Sequence, residues 1–111
     1  MQLKRTLKQA GLDVVGMADN GETAVEMALR ERPELILMDI RMPKMDGLKA
    51  AREILAEYSV CIVMLTAFSD ETYQQEAREI GASGYLVKPI SRDLLLPALQ
   101  KALAAFDAKN S

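Results

Sequence analysis

The chain has 111 residues, half of them apolar and 27% charged, a composition that suits one globular domain with a single core. Its 14 basic and 16 acidic residues are well mixed and leave a net charge of −2, so electrostatics gives no case for direct nucleic-acid binding by this chain or for a polybasic membrane contact. It contains no histidine, which removes Ser-His and Cys-His nucleophiles, histidine phosphocarriers and most zinc-site patterns.

Residues 3–10, "LKRTLKQA", place Leu3, Leu7 and Ala10 at helical spacing, and Gly11 suits the position just past a helix end. "DVVGMA" (13–18) reads as a strand weakened by Gly16. In "DNGETAVEMALRERP", Asn20-Gly21 makes a turn. Ala24, Val25, Ala28 and Leu29 then form an apolar helical face, and Pro33 stops the helix. "ELILMD" (34–39) is a second strand. Asp46 can cap a helix over roughly 47–57, with Leu48, Ala51, Ile54 and Leu55 inward. "VCIVMLT" (60–66) is a third strand, and its single Cys61 has no intrachain partner, the plain pattern of a reducing cytosol.

A helix capped near Ser69 or Asp70 follows, buried on Tyr73, Ala77 and Ile80 and ended by Gly81. "GYLVK" (84–88) is a short last strand. Residues 92–106 form a helix with Leu95, Leu99, Ala102, Leu103 and Phe106 on one stripe, and Pro97 marks where its first turn ends or bends. Residues 107–111, "DAKNS", read as a frayed polar end. The apolar runs "LILM" and "VCIVML" are too short to span a bilayer, and residues 1–10 lack the apolar stretch of a signal peptide.

Alternating helices and strands, with strands apolar on both faces, predict an α/β fold: a parallel sheet sheathed by helices on each side. Ligands in such sheets bind beyond the carboxyl ends of the strands. The predicted strands end at Asp39, Thr66 and Lys88, so one rim gathers a carboxylate, a hydroxyl and an ammonium. A lysine beside a carboxylate can later pair with an added phosphoryl group, and a threonine hydroxyl can donate to a phosphoryl oxygen. A polar residue at a strand end is often only the start of a loop, and it is the set of three that points to chemistry. The Lys88-Pro89 bond is open to two readings: a cis bond that aims the ammonium at the rim, or a trans proline opening the last helix.

"LILMDIRMPKMDG", "VMLTAFSD" and "GASGYLVKPI", in this order and spacing, resemble the receiver domain of two-component response regulators, from residue 1 to about 106. The resemblance implies a flavodoxin-like, doubly wound parallel sheet and a phosphorelay phosphoprotein in which Asp39 accepts a phosphoryl group from a sensor histidine kinase. By the same resemblance Thr66 is the switch hydroxyl, Lys88 the phosphate partner and Tyr85 the aromatic that turns inward on activation. Magnesium would be held by Asp39 and the backbone carbonyl of Arg41. Pro43 and Gly47 would shape the loop, Ala67 would leave room for the phosphoryl group, and Pro89 would follow the phosphate partner. "GASGYLVKPISRDLLLPALQKALAAF" is closest in wording to receivers of ANTAR-type antiterminator regulators. The family's face for dimerisation and output would be made by 70–80, 84–87 and 92–106.

The chain departs from the family at its start. Family receivers open with a strand that ends in a pair of acidic residues holding the magnesium. Here the first acidic residue is Asp13, after the opening helix. The expectation is therefore a receiver spanning 1–111 that is truncated to about four strands and carries no output domain. Magnesium binding should be weak or absent, since the ion asks for several oxygen ligands in octahedral geometry, and with it self-phosphorylation from small donors. In the family the absent strand lies between those matching 13–18 and 34–39. Its loss predicts either closure of that gap or a remodelled, strand-exchanged homodimer. Alternatively Met1 is internal to a longer reading frame, and an ordinary acidic pair lies upstream.

Three function classes follow: a cytoplasmic receiver that signals through Asp39 to an output domain or downstream protein; a phosphorylation-independent binding or adaptor protein on the same fold; and, least favoured, a small hydrolase using Asp39 or Ser69, which would lack a histidine base. The chain is read as a signalling module and not as an enzyme.

Overall fold

The computed structural model describes residues 20–40, 46–66 and 71–110, apart from the side chains of Tyr73, Arg92 and Asn110. The helix predicted at 3–10 and the strand predicted at 13–18 lie outside the described residues, as does the cap expected at Ser69 or Asp70. The described elements run α1 (Gly21–Glu31), β1 (Leu35–Asp39), α2 (Gly47–Glu57), β2 (Cys61–Thr66), α3 (Glu71–Glu79), β3 (Gly84–Val87) and α4 (Arg92–Asn110). The described strands form one parallel sheet in the order β1-β2-β3.

The local chemistry explains each boundary. Asn20 is the N-cap of α1, and its side chain accepts from the Thr23 N–H at 2.9 Å, so Asn20-Gly21 opens the helix directly instead of making a separate turn before it. Arg32 ends that helix in the left-handed region (φ 46°), its N–H bonded to the Ala28 carbonyl at 2.8 Å. Asp46 caps α2 through the Lys49 N–H at 2.9 Å, as its sequence position predicts. Gly81, at φ +94°, closes the segment after α3, where an L side chain would be strained.

Helix α4 departs from expectation twice. It continues through Pro97 without a break, and it extends over "DAKN" to Asn110 where a frayed end was expected. Pro97 is exposed, so the Asp93 carbonyl that loses its helical donor can turn to water.

Side-chain alternation along the strands sorts the core into two layers. Ile62 and Met64 of β2, with Met38 of β1, pack with Ala28, Ala50, Ala51, Ile54 and Ala77, so α1, α2 and α3 cover this face. Cys61 and Val63 face the other way onto Leu95, Leu99 and Ala102 of α4, joined by Leu35, Leu37 and Leu86. Every residue of β2 is buried, as a central parallel strand sheathed on both sides requires. Tyr58, just past α2, ties this layer to the end of α1. Its hydroxyl donates toward the Ala28 and Pro33 carbonyls at 3.4 and 3.3 Å, while the Arg32 guanidinium lies 5.0 Å from its ring centre.

Candidate functional site

The parallel register sets Asp39 beside Leu65 and Thr66 beside Val87, so the carboxyl ends of the three strands form one rim. The ladder runs on past the strands. Ile40 N–H donates to the Leu65 carbonyl at 3.0 Å, and Lys88 N–H donates to the Thr66 carbonyl at 2.6 Å. These bonds fix the backbone on both sides of β2, and the side chains at the rim inherit their positions from it.

Asp39 and Lys88 meet across the end of the sheet, with Lys88 Nζ 2.5 Å from Asp39 Oδ1. Both side chains are about half exposed, at 43% and 44%. The pair is thus open to an incoming ligand and is a short, charge-assisted contact in water. The Lys88-Pro89 peptide bond is cis, which resolves the two readings of that proline.

Thr66 ends β2 and is 3% exposed. Alternation puts it on the face of Ile62 and Met64, the opposite line from Leu35, Leu37 and Asp39. Of the predicted trio, the structure therefore brings Asp39 and Lys88 into contact and sets Thr66 in the buried floor between their strands. Tyr85 pairs with Met64 in the register and is half-buried against the α1–α3 layer, the same face as Thr66. Pro89 is exposed. Arg41, Pro43 and Ala67 lie outside the described residues.

Two residues at the rim escape a reading of spacing alone. Ile40 is 3% exposed although it follows the carboxylate into a loop; the one available signal is an apolar residue between Asp39 and Arg41. Gly47 lies directly against the end of β1, since a Cβ built on it would stand 1.9 Å from the Asp39 carbonyl oxygen. Sequence marks it as a loop glycine but cannot say which backbone it touches.

The described donor set at the rim is small for magnesium. Asp39 offers one carboxylate, and its Oδ1 already holds the Lys88 ammonium. Among the described residues no three acidic, histidine or cysteine side chains gather. A hard octahedral ion needs more oxygen than this, so the described residues do not by themselves fit it. Among them, too, no helix is long and apolar enough to cross a membrane.

A helix-sheathed parallel sheet with a carboxylate–ammonium pair at its carboxyl rim defines a flavodoxin-like α/β domain. Residues 1–100 match the family model of the response regulator receiver domain. The chain is 43% identical over 106 residues to the transcriptional regulatory protein PdtaR of Mycobacterium tuberculosis, covering 96% of this chain and 52% of that protein. It is 38% identical to the chemotaxis protein CheY of Bacillus subtilis, covering 93% of this chain and 87% of that one. Among solved structures it resembles the receiver domain of the sensor histidine kinase PA1611 of Pseudomonas aeruginosa, which has a magnesium ion coordinated in its active-site cleft. That likeness has a TM-score of 0.81 and 34% identity, and covers 92% of this chain and 85% of that one. The chain belongs to the response regulator receiver family of two-component systems, as its motifs imply. It spans about half the length of PdtaR. Receivers are signalling domains, in general not enzymes; as a family they bind magnesium at the phosphorylation site, accept phosphoryl groups from histidine kinases and are linked to output domains.

Proposed function

We propose that residues 1–111 form a cytoplasmic receiver module that signals through phosphorylation of Asp39 by a sensor histidine kinase. The observation that carries this reading is the Asp39–Lys88 contact at the open rim. In the transfer, an Asp39 carboxylate oxygen attacks the phosphorus of a phosphohistidine. The new O–P bond forms as the P–N bond breaks, and the imidazole leaves with its electron pair. The Lys88 ammonium then pairs with the phosphoryl oxygens, and the Thr66 hydroxyl donates to one of them. Movement at Thr66 reaches Tyr85, which lies on the same sheet face, and through it the α3–β3–α4 surface that meets an output domain or downstream protein. By its wording that output is of the antiterminator type.

A homodimer is the expected assembly, and a stable monomer by light scattering that persists on dilution argues against that part.

The test of the acceptor role is transfer of labelled phosphate from a panel of autophosphorylated sensor histidine kinases. Label on the unsubstituted chain that disappears in Asp39→Asn supports the reading. A second reading, a phosphorylation-independent adaptor, is favoured by the few oxygen donors that the described residues offer magnesium. The same experiment decides between the two, because an adaptor takes no label from any kinase.

A further inference from the structure

We infer that Gly47 is a positioning residue for the rim pair: by having no side chain it lets the start of α2 bear directly on the Asp39 carbonyl and so holds the Asp39 carboxylate against Lys88. This rests on reading Asp39 as the acceptor, but the placement it asserts can be measured without phosphorylation.

The chain leaves β1 at Asp39 and returns to the same point at Gly47, whose N–H donates to the Ile40 carbonyl at 2.7 Å. A Cβ at Gly47 would lie 1.9 Å from the Asp39 carbonyl oxygen, 2.7 Å from its carbonyl carbon and 3.0 Å from the Ile40 Cα. All three atoms are backbone, so no rotamer change relieves the clash. Either the strand end or the helix start must give way by about 1 Å, in an interior packed too closely to absorb that elsewhere. On its far side the same backbone is fixed by the Ile40–Leu65 hydrogen bond, and the Ile40 side chain is buried. Asp39 is thus clamped between β2 and α2, and the first turn of α2 is itself held by the Asp46 cap. The side chain that reaches Lys88 at 2.5 Å starts from this clamped point. Misplacing a reacting group by 1 Å is enough to cost on the order of a hundredfold in rate.

Carbodiimide coupling of the full chain tests the placement. The reagent takes a carboxylate oxygen away as a urea, and an amine in contact with the activated carbon forms an amide, leaving the joined peptides lighter by one water. In the unsubstituted chain, mass spectrometry should find Asp39 joined to Lys88, and failure to find that product overturns the proposal. Gly47→Ala, treated well below its melting transition, should give at least about ten-fold less of the product. Ala51→Gly weakens the same helix without placing any atom near Asp39, and should keep the yield. Asp46→Ala, which frays the turn that carries Gly47, should lower it in part. Unsubstituted-level coupling in folded Gly47→Ala overturns the inference, as does an equal loss in Ala51→Gly. Should Gly47→Ala not fold, Asp46→Ala decides, and undiminished coupling there overturns it. Absence of phosphotransfer to Asp39 would remove the acceptor reading and leave this result standing.

Discussion

Replacing Lys88 by alanine separates what the rim pair does for the fold from what it does for the chemistry. The Lys88 and Asp39 side chains are 44% and 43% exposed. At that exposure water screens the attraction, and ordering two side chains offsets much of the rest, so the pair stabilises the fold by about 0–1 kcal/mol. Asp39 left alone remains half-solvated and carries no large burial penalty. Lys88→Ala should therefore shift the urea midpoint only slightly. Phosphoryl acceptance should respond far more, because the ammonium meets a group that gains charge as transfer proceeds. A charge-assisted hydrogen bond contributes about 1.5–3 kcal/mol, which at 1.4 kcal/mol per tenfold is a loss of about ten- to 150-fold in transfer rate. Lys88→Arg keeps the charge but replaces a point ammonium with a planar fork, and should recover only part of the rate. The assay pairs urea unfolding with single-turnover transfer from a labelled kinase. A stability loss above about 2 kcal/mol with unchanged transfer would refute the reasoning, because the pair would then be structural.

Ile54 on α2 is fully buried against both α1 and the sheet, so Ile54→Ala should destabilise by about 2–5 kcal/mol and lower the melting temperature by about 4–8 °C per kcal/mol. Burial raises the Tyr58 phenol above its usual value, against a smaller lowering by Arg32. The folded state therefore favours the protonated phenol. Its contribution is present in full below the unfolded-state value of about 10 and is lost as pH rises through the higher folded one. Tyr58→Phe should flatten the alkaline part of a melting-temperature profile, and a profile unchanged above pH ~10 would count against the assignment. The Cys61 thiol is raised too, by burial first and by Asp107, against a lowering by its hydrogen bond to Ser83, so the comparison is best made in a Cys61→Ala background. Arg32 sits at φ 46° with its guanidinium over Tyr58. Arg32→Ala loses the ring contact and keeps the left-handed strain, whereas Arg32→Gly loses the contact but relieves the strain. Chemical denaturation should rank glycine above alanine by about 0.5–1 kcal/mol.

The fold was legible where one local rule decides an outcome. Short apolar runs bounded by turn and cap residues marked the strands, Asp46 marked the start of α2, and Gly81 marked the turn after α3, because caps and left-handed turns depend on neighbours within four residues. The Asn20-Gly21 pair misled: the asparagine side chain bonds forward into the helix, and the glycine is the helix's first residue. The end of α4 misled too, since "DAKN" has weak apolar signal and its helical state continues from the preceding turns. At the rim, strand ends alone placed Asp39 and Lys88 together, but the opposite facing of Thr66 follows from alternation relative to β2 and needs the register.

What the sequence could not show is how the carboxylate is held. No residue type near Asp39 announces that the helix starting eight positions later presses on its own carbonyl. An acceptor site needs an ionised nucleophile in a fixed place, a cation beside the developing charge, and open access. In this chain the place is fixed by backbone packing at Gly47 and the Ile40–Leu65 bond, the cation is Lys88, and access follows from the half exposure of both partners. None of these draws on the acidic residues that family members use for metal. Charge neutralisation by a metal is therefore a separate contribution, and the geometry of acceptance does not depend on it. A kinase, which brings its own positioned donor to this fixed carboxylate, should label Asp39 more readily than a small phosphodonor.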